Sequence, residues 1–374
     1  MELHEQLATA IATADLRYVA GTCLNAPGHP RGWVFTQWGT MVAFEAVKNL
    51  NDVHGIDLCV QWERAVAAAA RHGAKYFDGR RNQLGAVVAD FEALLDATHI
   101  AFFPEDRLGR AFDFLRDDLS VVRDGDRLLL TNVTGHFMMG LPPDRALNTD
   151  KWGPHMRELT MGIGNATASF TDEEVDALRE HGSSVLGSAE WFDGKIARDV
   201  PAAFGGGLEP GLALALLSIA STMEGARRWA QVDCCVECAV AALKHRFIVL
   251  HHGVQSLKRL AEQPTLVGAV GEQYLAEITA APSLSRVTEQ PFRDLRNGWL
   301  HLGLSDIADR LSGDVSITTP VELYAGVSAP ELSDTVDEGL ELATQLLQNW
   351  MLEADEQGET LYTRLQVADM DDDE

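Results

Sequence analysis

No run of eighteen apolar residues occurs in the chain, so no membrane span is predicted. The opening MELHEQLATAIATADLRY lacks the basic and then apolar pattern of a secretory signal, and none is expected. Cysteines are few: five, at 23, 59, 234, 235 and 238, odd in number and unevenly spaced. That argues against a disulfide framework and for reduced thiols in a cytoplasmic protein. Basic residues are outnumbered, 30 Lys and Arg against 56 Asp and Glu, for a net charge of −26. A polyanion is repelled at long range by such a chain, so any nucleic-acid site must be locally basic or completed by a partner. Also missing are the phosphate loop G-x-x-x-x-G-K-[ST], the dinucleotide G-x-G-x-x-G after a strand, the zinc helix H-E-x-x-H and the nucleophile elbow G-x-S-x-G. No nucleotide, zinc or serine-hydrolase chemistry is predicted from them, and no cofactor is expected.

What is present is a globular composition, 46% hydrophobic and 23% charged over 374 residues, enough for two parts with a real core. The pattern is mainly α. Apolar residues three and four apart predict helices over about 2–14, 38–51, 58–72 and 84–97. HIAFF at 99–103 reads as a short strand, and LSVVRDGDRLLLTNV as a β-hairpin near 119–133 turning at Asp124-Gly125. The stretch TGHFMMGLPPDRALNTDKWGPHM reads as loop, and a Thr-x-x-Glu capping box starts a helix at Thr171. GGGLEPG marks a boundary, giving a helical N-terminal region over 1–205, plausible as a sensor or regulatory module that binds a protein partner. Residues 206–350 then form an antiparallel helical bundle, and 351–374 an acidic, disordered tail ending in DMDDDE. Within the bundle, Trp229, Val232, Val236, Ala239, Leu243, Phe247, Leu250, Val254 and Leu257 make one stripe on a long helix over 226–262. Val336, Leu340, Ala343, Leu347 and Trp350 do the same on a closing helix.

Between those two helices lies FRDLRNGWLHLGLSD, residues 292–306. With about 100° per residue, Phe292, Leu295, Trp299 and Leu302 fall on one compact apolar stripe. Arg293, Arg296, Asn297 and His301 gather on the opposite side, with Leu300 among them. A bulky apolar residue amid arginines implies that this face meets another surface rather than open water.

Arg296-Asn297 followed by His301, on the middle helix of this series, resembles the HEPN family of helical nucleases. Their signature is Arg, a polar residue, and His after four to six intervening positions. The resemblance covers 206–350 and implies a helical bundle that forms homodimers, or larger even assemblies, with paired motifs. It also implies metal-independent endonucleolytic RNA cleavage, in defence or stress, by attack of the 2′-hydroxyl on the adjacent phosphate. His301 would transfer the proton and Arg296 would stabilise the added negative charge, with Asn297 in support. Arg293, Arg246, His251 and His252 are candidate substrate-binding residues near the motif. The bare Arg-to-His spacing also occurs at Arg246, but Phe247 follows it, so only Arg296 carries the polar residue of the signature. The rival reading is a non-catalytic helical protein that uses the same fold to dimerise or to bind a partner or ligand, and the plainest one is an ordinary amphipathic helix.

Two further clusters have plainer readings. Cys234, Cys238 and His245 share one side of a helix and could bind zinc, but no second ligand cluster is present and core packing is preferred. His136 and His155 stand beside aromatics without matching acids and are read as structural.

Overall fold

A computed structural model describes residues 2–25, 30–54, 84–102, 117–124, 127–140, 189–204, 207–229 and 236–353, with isolated positions between 67 and 176. The described elements are mostly helices. They are α1 (Leu3–Asn25), α2 (Pro30–His54), α3 (Leu84–Phe102), α4 (Asn132–Met138), α5 (Ile196–Ala202), α6 (Pro210–Trp229) and α7 (Val236–Ala261). After them come α8 (Gly268–Ala280), α9 (Pro282–Arg286), α10 (Gln290–His301) and α11 (Ala329–Glu353). A small antiparallel sheet joins β1 (Leu119–Asp124), β2 (Arg127–Thr131) and β3 (Ala189–Gly194) in the order β2-β1-β3.

The expected hairpin is present: Val121 pairs with Thr131 and Asp124 with Arg127, leaving two residues between the strands. The third strand was not anticipated from the sequence. It comes from far downstream and lies against β1 with Val121 opposite Phe192. The expected strand at 99–103 is corrected, because α3 runs through Phe102. Four or five apolar residues cannot by themselves distinguish strand from helix, and here they continue the three-four repeat upstream. The loop expected from Thr134 is corrected in its first part. Thr131 caps α4 by accepting from the Thr134 backbone N–H, while the Thr134 hydroxyl reaches back to the Thr131 backbone N–H, so a short helix begins there. The helix expected over 58–72, the capping box at Thr171 and His155 lie outside the described residues, Ala67 in the first of them excepted.

The single long helix expected over 226–262 is also corrected. Trp229 ends α6, and Val236 opens α7. The two pack together closely enough for a Cβ at Gly253 of α7 to strike the Met223 side chain of α6. Leu243, Phe247, Leu250, Val254 and Leu257 are buried as the stripe requires, but Ala239 is exposed and Cys238 takes the inward place. The closing stripe holds throughout: Val336, Leu340, Ala343, Leu347 and Trp350 are fully buried on α11. That helix starts in a capping box in which Ser328 and Glu331 bond each other's backbone N–H. It continues to Glu353, so the first residues assigned to the acidic tail are helical, and those from 354 onward lie outside the described residues.

α7 is the axis of the molecule. α1, α6, α8, α10 and α11 all pack on it, so every residue from Ala241 to Val254 is buried, whatever its polarity. One hydrophobic cluster runs from Leu7 to Met351 and takes side chains from both sides of the glycine-rich stretch at 205–211. None of the described helices is long and apolar enough to cross a membrane.

Candidate functional site

α10 is a short helix with a sharply divided surface. Pro291 sits in its first turn, where a missing N–H costs nothing. Phe292, Leu295, Trp299 and Leu302 are buried, and Phe247 of α7 meets both the Phe292 and the Trp299 rings. Arg293, Asn297 and His301 are exposed, and Arg296 is half-buried between the two faces. Of the predicted catalytic trio, Asn297 and His301 therefore stand on the accessible side of a helix whose other side is locked into the core, with Arg296 at the border between the two.

The helix stops at His301 because Leu302 takes a left-handed conformation, with φ 54°, which a branched side chain adopts only when its surroundings hold it. Here the Leu302 side chain is buried and its carbonyl accepts from the Leu304 N–H. Asn49 Nδ2 of α2 approaches the same carbonyl at 3.5 Å. One turn earlier on α2, Glu45 Oε2 lies 3.2 Å from Nδ1 of His301. Leu300 is 4% exposed, with α2 packed against α10. The surface that Leu300 meets is thus supplied by the same chain, so this residue no longer argues for a second copy.

On the other flank of α10, Gly298 faces Tyr324, whose ring would collide with any Cβ placed there. Tyr324 lies in a π-helical turn, Val321–Ala325, and donates its hydroxyl proton to Asp306. Burial, the bond to Asp306 and the nearby Asp294 push this phenol well above its ordinary range.

The remaining sequence candidates are on α7 and are buried. His251 Nδ1 is 2.7 Å from the Val287 carbonyl, which can only accept, so Nδ1 carries the proton. Burial first, then the positive charges of Arg296, Arg293 and Lys258, hold His251 down to about 4. The structure therefore brings His251 close to Arg293 and Arg296, as a neutral buried ring beneath them. Lys258 completes this basic group and donates to the Thr288 hydroxyl. His252 is buried at right angles to His251. Arg246 is separate: it pairs with Asp337 of α11, lies near Tyr18 of α1, and burial lowers it to about 10. Neither His252 nor Arg246 belongs to the exposed face of α10.

Of the candidate zinc ligands, Cys234 and Cys235 lie outside the described residues. Cys238 is buried, and His245 packs its ring on Tyr18. His136 is in α4, where burial lowers it to about 4.

Sequence reasoning missed Glu45, Tyr324 and the buried pair Asp15–Lys244, in which Nζ lies 2.5 Å from the carboxylate. Each joins elements far apart in the chain, and no local spacing signals such a meeting. Comparison with family models, with curated proteins and with solved structures finds no match to this chain.

Proposed function

We propose that the helical part of this chain over 206–350 is a metal-independent endoribonuclease of HEPN type, working in the cytoplasm as a homodimer. The observation that carries the reading is that Asn297 and His301 of the signature are exposed on α10 and Arg296 borders them, with the opposite side fully buried. Arg293 and Arg296 add a locally basic patch to a strongly acidic protein, as binding to a phosphodiester demands.

In this reading His301, half-exposed, moves the proton between the 2′-hydroxyl and the leaving oxygen. Arg296, a fixed cation shaped for phosphate oxygens, stabilises the charge that builds up on the phosphorane. Asn297 orients the substrate. A second copy facing the exposed Arg293, Asn297 and His301 would supply the other acid or base, and RNA would lie between the two. The products would be a 2′,3′-cyclic phosphate and a 5′-hydroxyl.

The experiment is cleavage of an unstructured RNA in EDTA with end-group analysis of the products. RNA carrying 2′-O-methyl at the cut position should resist. Cleavage that requires a divalent ion, or that leaves a 3′-hydroxyl, would refute the mechanism.

One observation favours the non-catalytic alternative, a helical module that binds a protein partner or ligand. The His301 ring already has a carboxylate neighbour, Glu45, on the α2 flank, and Asp294 and Asp306 surround Tyr324 on the other flank of α10. A phosphate approaching from either flank meets negative charge. RNA binding that is absent at low salt, together with a defined oligomer, would favour this module over the nuclease.

A further inference from the structure

His301 is the last residue of α10, a place where a side chain ordinarily swings freely. Two contacts from α2, one turn apart, close on this helix end: Glu45 on the imidazole and Asn49 on the Leu302 carbonyl. Leu300, beside His301, is buried, and α10 as a whole packs against α2. Glu45 is itself largely shielded, at 18% side-chain exposure, against 52% for His301. The imidazole thus reaches solvent while its carboxylate neighbour is set back into the protein.

We propose that Glu45, from the N-terminal region, is a positioning residue that fixes which nitrogen of His301 faces a ligand. A carboxylate can only accept, so in the neutral ring Nδ1 must carry the hydrogen at 3.2 Å from Glu45 Oε2. Nε2 is then the lone-pair nitrogen, able to take a proton from an external hydroxyl. When it does, the imidazolium keeps its bond to Glu45, and the carboxylate balances the new charge. Without Glu45 the ring can exchange tautomers and rotate, and only part of the population presents a basic nitrogen outward. The N-terminal region is therefore a structural component of the site on α10. The use of that nitrogen on RNA rests on the nuclease reading; the tautomer and the holding of the ring do not.

The test uses the full chain labelled with nitrogen-15 at histidine, with the His301 signals assigned by their loss in His301→Gln. Long-range proton–nitrogen correlation of the neutral ring should show a protonated Nδ1 and an unprotonated Nε2. Glu45→Ala should move the ring toward the Nε2-protonated form, whereas Glu45→Gln, which keeps an acceptor oxygen, should retain the wild-type pattern. A His301 that already carries its hydrogen on Nε2, or one that ignores Glu45→Ala in a folded protein, overturns the proposal.

Activity supplies the second arm. Glu45→Ala should lower kcat at least about tenfold with KM little changed, bounded by the ~10²–10⁴ of proton transfer itself. Glu45→Gln should recover most of it. If the tautomer responds as expected but wild type cleaves no RNA, the nuclease reading fails and the positioning of His301 stands. If wild type cleaves and Glu45→Ala cleaves equally well, the positioning role is overturned while the nuclease reading survives.

Discussion

Removing Lys244 should expose how much the core depends on one ion pair. Lys244 of α7 and Asp15 of α1 meet at 2.5 Å with side chains only 2% and 1% exposed. The other Asp15 oxygen, Oδ1, is buried without a hydrogen-bond partner. Burial outweighs the attraction of Lys244 and pushes Asp15 up from 3.8 to about 6. At about 1.4 kcal/mol per pKa unit, that rise corresponds to about 3 kcal/mol of net cost, burial less the attraction of Lys244. The sign follows from proton uptake. Between about pH 4 and 6 the folded state holds a proton that the unfolded chain releases, so this group's contribution falls as pH rises through that window and stays low above it. In Lys244→Met the carboxylate loses its counter-charge, and the cost at pH 8 should be about 3–5 kcal/mol, the usual result of breaking a buried pair. Near pH 5, where Asp15 is protonated, the cost should be clearly smaller. The double variant Asp15→Asn/Lys244→Met removes both charges and should lie within about 1–2 kcal/mol of wild type. Urea unfolding followed by far-ultraviolet circular dichroism at pH 5 and pH 8 measures all three. A single variant that costs less than about 1 kcal/mol at pH 8, or a double variant as unstable as the single, would refute this account of the α1–α7 interface.

Three further outcomes are expected. Burial holds the His251 imidazole down from 6.5 to about 4, so below pH 6.5 the unfolded chain binds a proton that the folded chain excludes. Stability should fall by up to about 3 kcal/mol as pH drops from about 6.5 to 4; thermal melts of wild type and His251→Gln should show a flatter acid limb in the variant. Gly271→Ala should destabilise despite a gain of about 1 kcal/mol in helix propensity. Its Cβ would press on the fully buried Trp350 ring and lie 2.7 Å from the Val267 Cβ, and overpacking of this kind costs about 1–3 kcal/mol; a raised melting temperature would contradict the packing described. On the nuclease reading, His301→Ala should cost roughly 10²–10⁴ in cleavage rate and Arg296→Ala on the order of 10²–10³. Both should keep wild-type helical content, and full activity in both folded variants would sink that reading.

Sequence periodicity by itself determined which faces of the long helices turn inward. Val336 to Trp350 on α11 and Phe292 to Trp299 on α10 are buried as their spacing requires, because a helix repeats every 3.6 residues whatever it packs against. The β1–β2 hairpin was legible for a similar reason, two β-rich runs close together with a turn signal between them, although Asp124, expected in the turn, is the last residue of β1. The accessible side of the candidate site was legible too: Arg293, Asn297 and His301 are exposed as the helical wheel places them. Tertiary structure decided the rest. Lys244, His245, Arg246, His251 and His252 are polar letters in a sequence, and only the packing of five other helices around α7 puts them inside. β3 joins β1 across a long stretch of chain, a pairing with no local trace. Leu300 signalled a covering surface, but only the fold shows that α2 packs against the helix that carries it. Glu45 reaches His301 across 256 positions of chain. Local spacing fixes the direction in which a side chain leaves its helix; what it meets there depends on elements that the chain brings in from elsewhere.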